Sequence, residues 1–267
     1  MKKIKYFVFV ILISSFFSLE CSTVPITGRK QFDLVPKSTM LSMSFQEYGD
    51  FLKSHKLSTN GDQTQMVKRV GSRIQQSVEK YFAEHNLSKE LQGYNWEFNL
   101  VESSEVNAWC MPGGKVVVYT GILPVTKDEA GLAVVLGHEI SHAVAEHGSE
   151  RMSEGLVTQL GGMALSEALK NKPQATQQLW MTAFGLGAQV GVLLPFSRLQ
   201  ESEADHLGLI FMSMAGYDPH TALDFWQRMA AQSQGAPPEF LSTHPSDATR
   251  IQKIKDEMPE AMSYYKK

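Results

Sequence analysis

The amino-acid sequence predicts an α+β domain that is mostly helical and contains a small β-sheet. Residues 63–85 place four apolar side chains at helical spacing, namely Val67, Val70, Ile74 and Val78. Residues 95–101 instead alternate apolar and polar side chains, which is the pattern of a strand with one buried face. Helical patterns outnumber strand patterns along the chain, and this balance indicates helices packed against a small sheet.

The first twenty residues are predicted to lie outside the domain. Three lysines precede an apolar run at residues 6–17, which has the length of a signal peptide and is short for a membrane span. The run leads to Cys21, the position that a bacterial lipoprotein signal leaves as an acylated N-terminus. Glu20 departs from the small residue usual at that point, so ordinary signal cleavage or a retained anchor stays open. We expect a lipoprotein signal peptide at residues 1–20 and lipidation of Cys21.

The rest of the chain is expected to form a tether and one domain. Residues 21–36 are polar, contain proline and glycine, and predict the tether. Residues 37–267 are long enough for one sizeable core. Within them we predict helices at 37–57, 63–85 and 150–169, and a strand, a Pro-Gly-Gly turn and a second strand across residues 105–120.

The composition gives no sign of a nucleic-acid partner. The chain has 25 Lys and Arg against 28 Asp and Glu, a net charge of -3, and no block of basic residues. Its 43% hydrophobic and 20% charged content is ordinary for a globular domain.

The stretch at residues 137–143, with the sequence GHEISHA, carries the chemistry. His138 and His142 stand four residues apart, so both imidazoles lie on one helix face and can reach a single metal ion. Glu139 can lean over that ion and take a proton from water. Such a motif also arises by chance on solvated helices, but residues 130–136 are apolar and predict burial. Buried ionisable side chains need partners, which favours a metal site.

A zinc site needs a third protein ligand, and the downstream sequence narrows the choice. The histidine expected in one class six residues after His142 is replaced by Gly148, so that class is excluded. Glutamates at about 19 or 20 residues, another known spacing, are replaced by glycines. The next acidic cluster with helical character places Glu201 and Asp205 on one helix face, whereas Glu203 points away and is predicted to be solvated. Asp205 suits the carboxylate that accepts the second N–H of a ligand histidine.

Several motifs together carry a family resemblance. The pair formed by HExxH at residues 138–142 and SRxxExEADxxG at residues 197–208 resembles the HtpX and CAAX-prenyl-protease family of zinc metallopeptidases. Its short periplasmic lipoprotein members are the most similar in layout. Weaker matches are NAW at 107–109 with PGG at 112–114, THPS at 243–246 with RI at 250–251, and the lipoprotein start at 21–31.

The resemblance implies a zincin-type metallopeptidase domain with one zinc ion per chain. It implies that His138, His142 and Glu201 are the zinc ligands. It further implies that Glu139 is the general base and that Asp205 is a carboxylate supporting the ligands.

The resemblance also implies residues that meet the substrate. In similar proteins, the strand that here contains Asn107, Ala108 and Trp109 binds the substrate backbone as an added strand, although Asn107 alone is equally a turn residue. His244 is expected either to close the site as a fourth ligand or to stabilise the oxyanion, and an unremarkable surface histidine is the remaining alternative. Arg250 is expected to anchor that loop or to touch substrate carbonyls.

We therefore expect a membrane-tethered zinc metalloendopeptidase that hydrolyses misfolded or unassembled cell-envelope proteins. The alternative is a non-proteolytic chaperone or assembly factor for outer-membrane proteins that uses the same fold. A lipid at Cys21 would hold the protein in a bacterial envelope, facing the periplasm, and Ser22 favours the outer membrane by analogy.

Some conspicuous residues are expected to have structural roles only. Residues 173–197 contain no charged side chain and predict a buried helix or an apolar flap over the active site. A membrane span there would separate Glu201 from the histidine pair. His147 is predicted to face away from the metal, five residues beyond His142. Four large aromatics are predicted to be core residues: Trp180, Phe184, Phe225 and Trp226.

Overall fold

A computed structural model describes residues 21–189, 194–231, 239–244 and 248–266. The described strands are β1 (Cys21–Thr23), β2 (Lys30–Phe32), β3 (Glu97–Val101), β4 (Ala108–Met111) and β5 (Lys115–Tyr119). The described helices are α1 (Lys37–Ser54), α2 (Gly61–Glu84), α3 (Leu123–Thr126), α4 (Glu129–Val144), α5 (His147–Leu169), α6 (Gln174–Ala188), α7 (Leu194–Met214), α8 (Thr221–Ala231), α9 (Glu239–Thr243) and α10 (Ala248–Tyr264). The predicted α+β class, mostly helical with a small sheet, is confirmed. The predicted signal peptide at residues 1–20 lies outside the described residues.

The small sheet has the order β3-β5-β4, with β5 parallel to β3 and antiparallel to β4. Every residue of β5 is buried, which explains its run of three valines at the centre of the sheet. The turn between β4 and β5 needs glycine, because Gly113 and Gly114 have φ angles of 84° and 81°. Because β5 lies in the middle of the strand order, β4 forms one edge of this sheet within the described part of the chain.

Helices α4 and α7 cross at the centre of the domain with their backbones in contact. A Cβ on Gly208 would lie 2.9 Å from the backbone nitrogen of His138, and one on Gly137 would lie 2.9 Å from the carbonyl oxygen of Gly208. Only glycine permits this approach, which sets the helix bearing Glu201 directly against the helix bearing the histidine pair.

The two ends of α4 follow from its sequence. The Asp128 side chain accepts a hydrogen bond of 2.8 Å from the Gly131 amide and caps the first turn. Almost all of α4 is buried, as its apolar sequence predicts. At its other end, Glu146 adopts a left-handed conformation with φ of 59°, and α5 begins at His147. The chain thus turns sharply one residue before His147.

The segment that the sequence predicts as a tether contains the hairpin of β1 and β2. Within this segment, Arg29 forms ion pairs with Glu150 of α5 and Glu203 of α7. The Leu34 amide donates to the Ser153 hydroxyl at 2.9 Å. Residues 29–34 are consequently fixed on the domain rather than extended away from it.

Helices α5 and α6 form an antiparallel pair with many exposed apolar side chains. Leu179 and Trp180 of α6 are 69% and 55% exposed, so the alternatives of a buried helix and of a core role for Trp180 are wrong. Phe225 and Trp226 are buried, as predicted. Within the described residues, the helices all fall short of the length and hydropathy that a membrane crossing requires. Part of the uncharged stretch, residues 190–193, lies outside the described residues.

Candidate metal centre

The histidine pair of α4 points at one spot in the interior. The Nε2 atoms of His138 and His142 lie 3.1 Å apart, and their side chains are 1% and 7% exposed. Helical spacing brings the two rings together, and the apolar flanks of α4 bury them.

Glu201 of α7 reaches the same spot. Its carboxylate oxygens lie 3.3 Å from the Nε2 atom of His138 and 3.3 Å from that of His142. Burial alone would raise the pKa of Glu201, but hydrogen bonds from His138, His142 and His244 hold this pKa well below its ordinary value. The carboxylate is therefore ionised, as a metal ligand must be.

The donor set fits a tetrahedral metal ion. Ligand atoms about 2.0–2.1 Å from a tetrahedral zinc ion are separated from one another by roughly 3.3–3.4 Å. The separations among His138, His142 and Glu201 are 3.1–3.3 Å. With His244, four ligand atoms lie within 4.8 Å of one another in buried side chains. Two imidazoles and a carboxylate are also the donors that zinc prefers.

Glu139 is buried beside this cluster, with an exposure of 4%. Burial raises the pKa of its carboxyl above the ordinary value, while the neighbouring His244 and His138 oppose the rise. Its Oε1 atom lies 3.4 Å from the Nε2 atom of His244. A carboxylate at this position can exchange a proton with a water molecule in the site.

His244 lies inside the cluster, directly after α9. Its amide donates to the Phe240 carbonyl at 2.9 Å, which holds the loop over the site. Its Nδ1 atom is 2.9 Å from Glu201 Oε1 and 3.1 Å from the Nε2 atom of His138. These contacts exclude the alternative of a surface histidine. The rest of the predicted loop motif, at residues 245–246, lies outside the described residues.

Asp205 supports the cluster from behind. Its Oδ1 atom lies 2.9 Å from the Nδ1 atom of His138, on the side of the ring away from the donor spot. Arg250 donates two hydrogen bonds of 2.7 and 2.6 Å to the Asp205 carboxylate, and a third of 3.3 Å to the His244 carbonyl. The Arg250 guanidinium stacks 3.3 Å from the centre of the Trp226 ring.

The contacts of Arg250 bear on its predicted roles. The residue is 6% exposed and joins Asp205, His244 and Trp226, which is the loop-anchoring alternative. The alternative in which Arg250 touches substrate carbonyls stays a prediction.

The other predicted substrate residues lie at the sheet edge. Asn107 immediately precedes β4, and its carbonyl accepts a 3.1 Å hydrogen bond from the Tyr119 amide. Ala108 and Trp109 form the start of β4, and the Trp109 ring packs on Phe51. β4 is an edge strand of this sheet within the described part of the chain, which is the position that strand addition requires.

Sequence reasoning missed two residues that adjoin the site. His147 contacts His142 behind the ring, with their Nδ1 atoms 2.8 Å apart, so it lies away from the donor spot and yet adjoins a predicted ligand. A helical wheel could not show this contact, because α4 ends at Val144. Glu203 was predicted to be solvated, yet it is 8% exposed and lies 2.9 Å from His147. The glutamate faces the docked N-terminal segment, which a helical wheel cannot show.

Comparisons with known proteins agree with this geometry. The model of peptidase family M48 matches residues 69–258. The chain is 36% identical to the mitochondrial metalloendopeptidase OMA1 of Schizosaccharomyces pombe, over 89% of this chain and 66% of that protein. It is 29% identical to the mitochondrial metalloendopeptidase OMA1 of Homo sapiens, over 95% of this chain and 49% of that protein. It is 34% identical to the beta-barrel assembly-enhancing protease of Yersinia pestis, over 58% of this chain and 33% of that protein. The chain thus covers less than two thirds of the length of each of these three relatives.

The family match spans most of the domain, including both helices that supply the donor cluster. It also extends into the helix that carries Arg250. This chain belongs to peptidase family M48.

Proposed function

We propose that the chain is a zinc metalloendopeptidase that cleaves misfolded or unassembled proteins of a bacterial cell envelope. The observation that carries the proposal is the buried convergence of His138, His142 and Glu201 beside the carboxylate of Glu139. The names of the relatives, two metalloendopeptidases and a protease, support a proteolytic role.

The residues present define the parts of such a reaction. His138, His142 and Glu201 would hold the ion, and Asp205 would orient His138 by accepting its Nδ1 proton. Zinc, when bound, supplies a Lewis acid that polarises a carbonyl and makes water more acidic. Glu139 accepts the proton of the attacking water at a carboxylate oxygen and delivers it to the leaving amine.

Unfolded chains suit the edge of β4 as a binding surface. Main-chain hydrogen bonds to an added strand require no particular side chains in the partner, so many unfolded sequences could bind. Asn107, Ala108 and Trp109 would supply that edge. The proposal of envelope proteins as substrates rests on the leader-like sequence at residues 1–20 and on the name of the Yersinia pestis relative.

The tether is a separate part of the proposal. We propose a lipid on Cys21 that anchors the protein in the outer membrane with the domain in the periplasm, supported by the apolar run at residues 6–17. Metabolic labelling with palmitate in a bacterial host checks this part. Wild type should incorporate label and Cys21→Ser should not; unlabelled wild-type protein would contradict the anchor.

The deciding experiment compares the full chain in detergent with its Glu139→Gln variant. Both should bind one zinc ion, and cleavage of an unfolded model protein should fall at least about a hundredfold in the variant. Glu79→Gln, on an exposed face of α2, is the matched control and should retain full activity.

The outcomes also separate the rival function. Zinc in both proteins with cleavage by neither would indicate either a protease kept latent by His244 or the apolar flap, or a non-proteolytic chaperone or assembly factor. A Glu139→Gln protein that keeps its cellular role would favour the chaperone or assembly factor. Wild-type protein without zinc would overturn the metal site itself.

A further inference from the structure

A buried polar network lies behind His142, on the side away from the donor spot. While the Nε2 atom of His142 faces His138, its Nδ1 atom lies 2.8 Å from His147 and 3.1 Å from Arg151. The proposed reaction uses none of the residues beyond His142. Arg151 is exposed, but His147, Glu150 and Glu203 are buried, and ionisable groups buried beside a ligand histidine call for a role.

The network continues from His147 to the N-terminal segment. The Nε2 atom of His147, which is 0% exposed, lies 2.9 Å from Glu203 Oε2. Glu203 also accepts a 2.8 Å hydrogen bond from Arg29 Nε and one from the hydroxyl of Thr27. The two terminal nitrogens of Arg29 donate to the buried Glu150 carboxylate at 2.8 and 2.7 Å.

If His142 binds a metal through Nε2, the hydrogen bonds from His142 through His147 to Glu203 can be donated in only one direction. A neutral histidine that offers the lone pair of Nε2 to a metal carries its proton on Nδ1. The Nδ1 proton of His142 must then be accepted by Nδ1 of His147, which leaves the proton of His147 on Nε2. That proton is donated to Glu203, whose charge is balanced by Arg29. Each step fixes the next one.

Arg151 provides the competing arrangement. Its guanidinium can donate but not accept, so a hydrogen bond from Arg151 to Nδ1 of His142 requires the lone pair on Nδ1. The proton would then sit on Nε2, where it blocks metal binding. The acceptor on His147 therefore favours the ligand tautomer, and the Arg151 donor opposes it.

We infer that Arg29 is a positioning residue of the metal centre, which acts through Glu203 and His147 to hold His142 in its metal-binding tautomer. The inference rests on the proposed zinc site. It assigns a role to the N-terminal segment around residues 27–29, which lies far from the metal-binding motifs in sequence. A purely structural clamp between the hairpin and helices α5 and α7 is the competing interpretation.

A double-mutant cycle on zinc affinity separates the two interpretations. Affinity is measured on the full chain in detergent by competition with a zinc-chelating dye. Arg29→Gln and His147→Gln should each lower affinity at least about tenfold. The double variant should bind zinc no more weakly than His147→Gln alone, because the inferred path from Arg29 to His142 runs through that ring.

Two further variants sharpen the test. Asp33→Ala removes a 2.7 Å hydrogen bond from Ser149 to the same segment without touching the network, so zinc affinity should stay at the wild-type value. Arg29→Lys keeps one charge for Glu203 and should restore part of the affinity. It also replaces Arg29→Gln in the cycle if the glutamine variant does not fold.

The results that overturn the inference are specific. If Arg29→Gln lowers the melting temperature but leaves zinc affinity unchanged, Arg29 is only a structural clamp between the hairpin and helices α5 and α7. Losses of affinity that multiply in the double variant would mean that Arg29 does not act through His147. Failure of wild-type protein to bind zinc would instead overturn the proposed function, which keeps the two failures distinguishable.

Discussion

At the scale of single residues, His244 has the contacts of a fourth donor. Its Nδ1 atom lies within 3.1 Å of both His138 and Glu201, where it would compete with water and substrate for the metal. A site closed in this way is active only in the fraction of molecules that have opened. His244→Ala should therefore raise the rate of cleavage of an unfolded protein, by roughly three- to tenfold.

The control for this prediction is His220→Ala, which changes an exposed histidine paired with Asp218 and should leave the rate unchanged. A nearly inactive His244→Ala protein would instead support the role of an oxyanion donor. An unchanged rate would contradict both roles.

Glu154 of α5 supplies a pH-dependent prediction at the same scale. Burial raises the pKa of its carboxyl to about 7, with a further contribution from the charge of Glu150. A pKa above that of the unfolded chain means that ionisation opposes folding. This penalty is absent below about pH 4.5, grows with rising pH, and is complete above about pH 7. The free energy of unfolding of Glu154→Gln should thus exceed that of wild type by roughly 2 kcal/mol at pH 8 and should equal it at pH 4.5.

Urea unfolding at the two pH values, with metal held saturating, measures this difference. Glu167→Gln, on the exposed part of the same helix, is the control and should change the free energy of unfolding at neither pH. An equal gain for Glu154→Gln at both pH values would contradict the assignment.

The sequence predicted the donor residues because their spacing reports a single helix face. His138 and His142 depend only on local geometry, and Glu201 and Asp205 depend on the same rule within α7. His147 and Glu203 escaped because their partners are set by tertiary structure. One lies past the end of α4, and the other faces a segment that docks from the N-terminus.

At the scale of secondary structure, the crossing of α4 and α7 sets the distance between the ligands. A Cβ at position 208 would meet backbone atoms of the other helix at 2.9 to 3.0 Å, and backbone cannot move aside as a flexible side chain can. Gly208→Ala should separate the helices, destabilise the fold by about 1–3 kcal/mol and weaken zinc binding at least about tenfold. Chemical denaturation and dye competition measure the two effects.

Gly155→Ala on α5 is the matched control, since a Cβ there meets nothing within 4 Å. This substitution should stabilise the helix by up to about 1 kcal/mol and leave zinc affinity unchanged. Wild-type zinc affinity in Gly208→Ala would show that the crossing does not control the ligand geometry.

Element boundaries and exposure were predicted with unequal success. The helix predicted at residues 63–85 is α2 (Gly61–Glu84), and the strand predicted at 95–101 is β3 (Glu97–Val101), because one buried face fixes each pattern. The uncharged stretch at residues 173–197, which contains α6, shows no apolar periodicity that would indicate one buried face. Its composition indicated burial, whereas Leu179 and Trp180 are exposed.

At the scale of the whole molecule, the donor cluster joins elements that are distant in sequence. α4, α7 and the loop after α9 meet there, and the N-terminal segment reaches it through Arg29. A ligand that binds only the folded protein stabilises all of these contacts together. Zinc at about a thousand times its dissociation constant should contribute about 4 kcal/mol, which corresponds to a rise in melting temperature of roughly 10 °C for a domain of this size. Scanning calorimetry with zinc and with chelator measures the shift. Glu201→Ala should show almost none of it, and an equal shift in that variant would place zinc elsewhere.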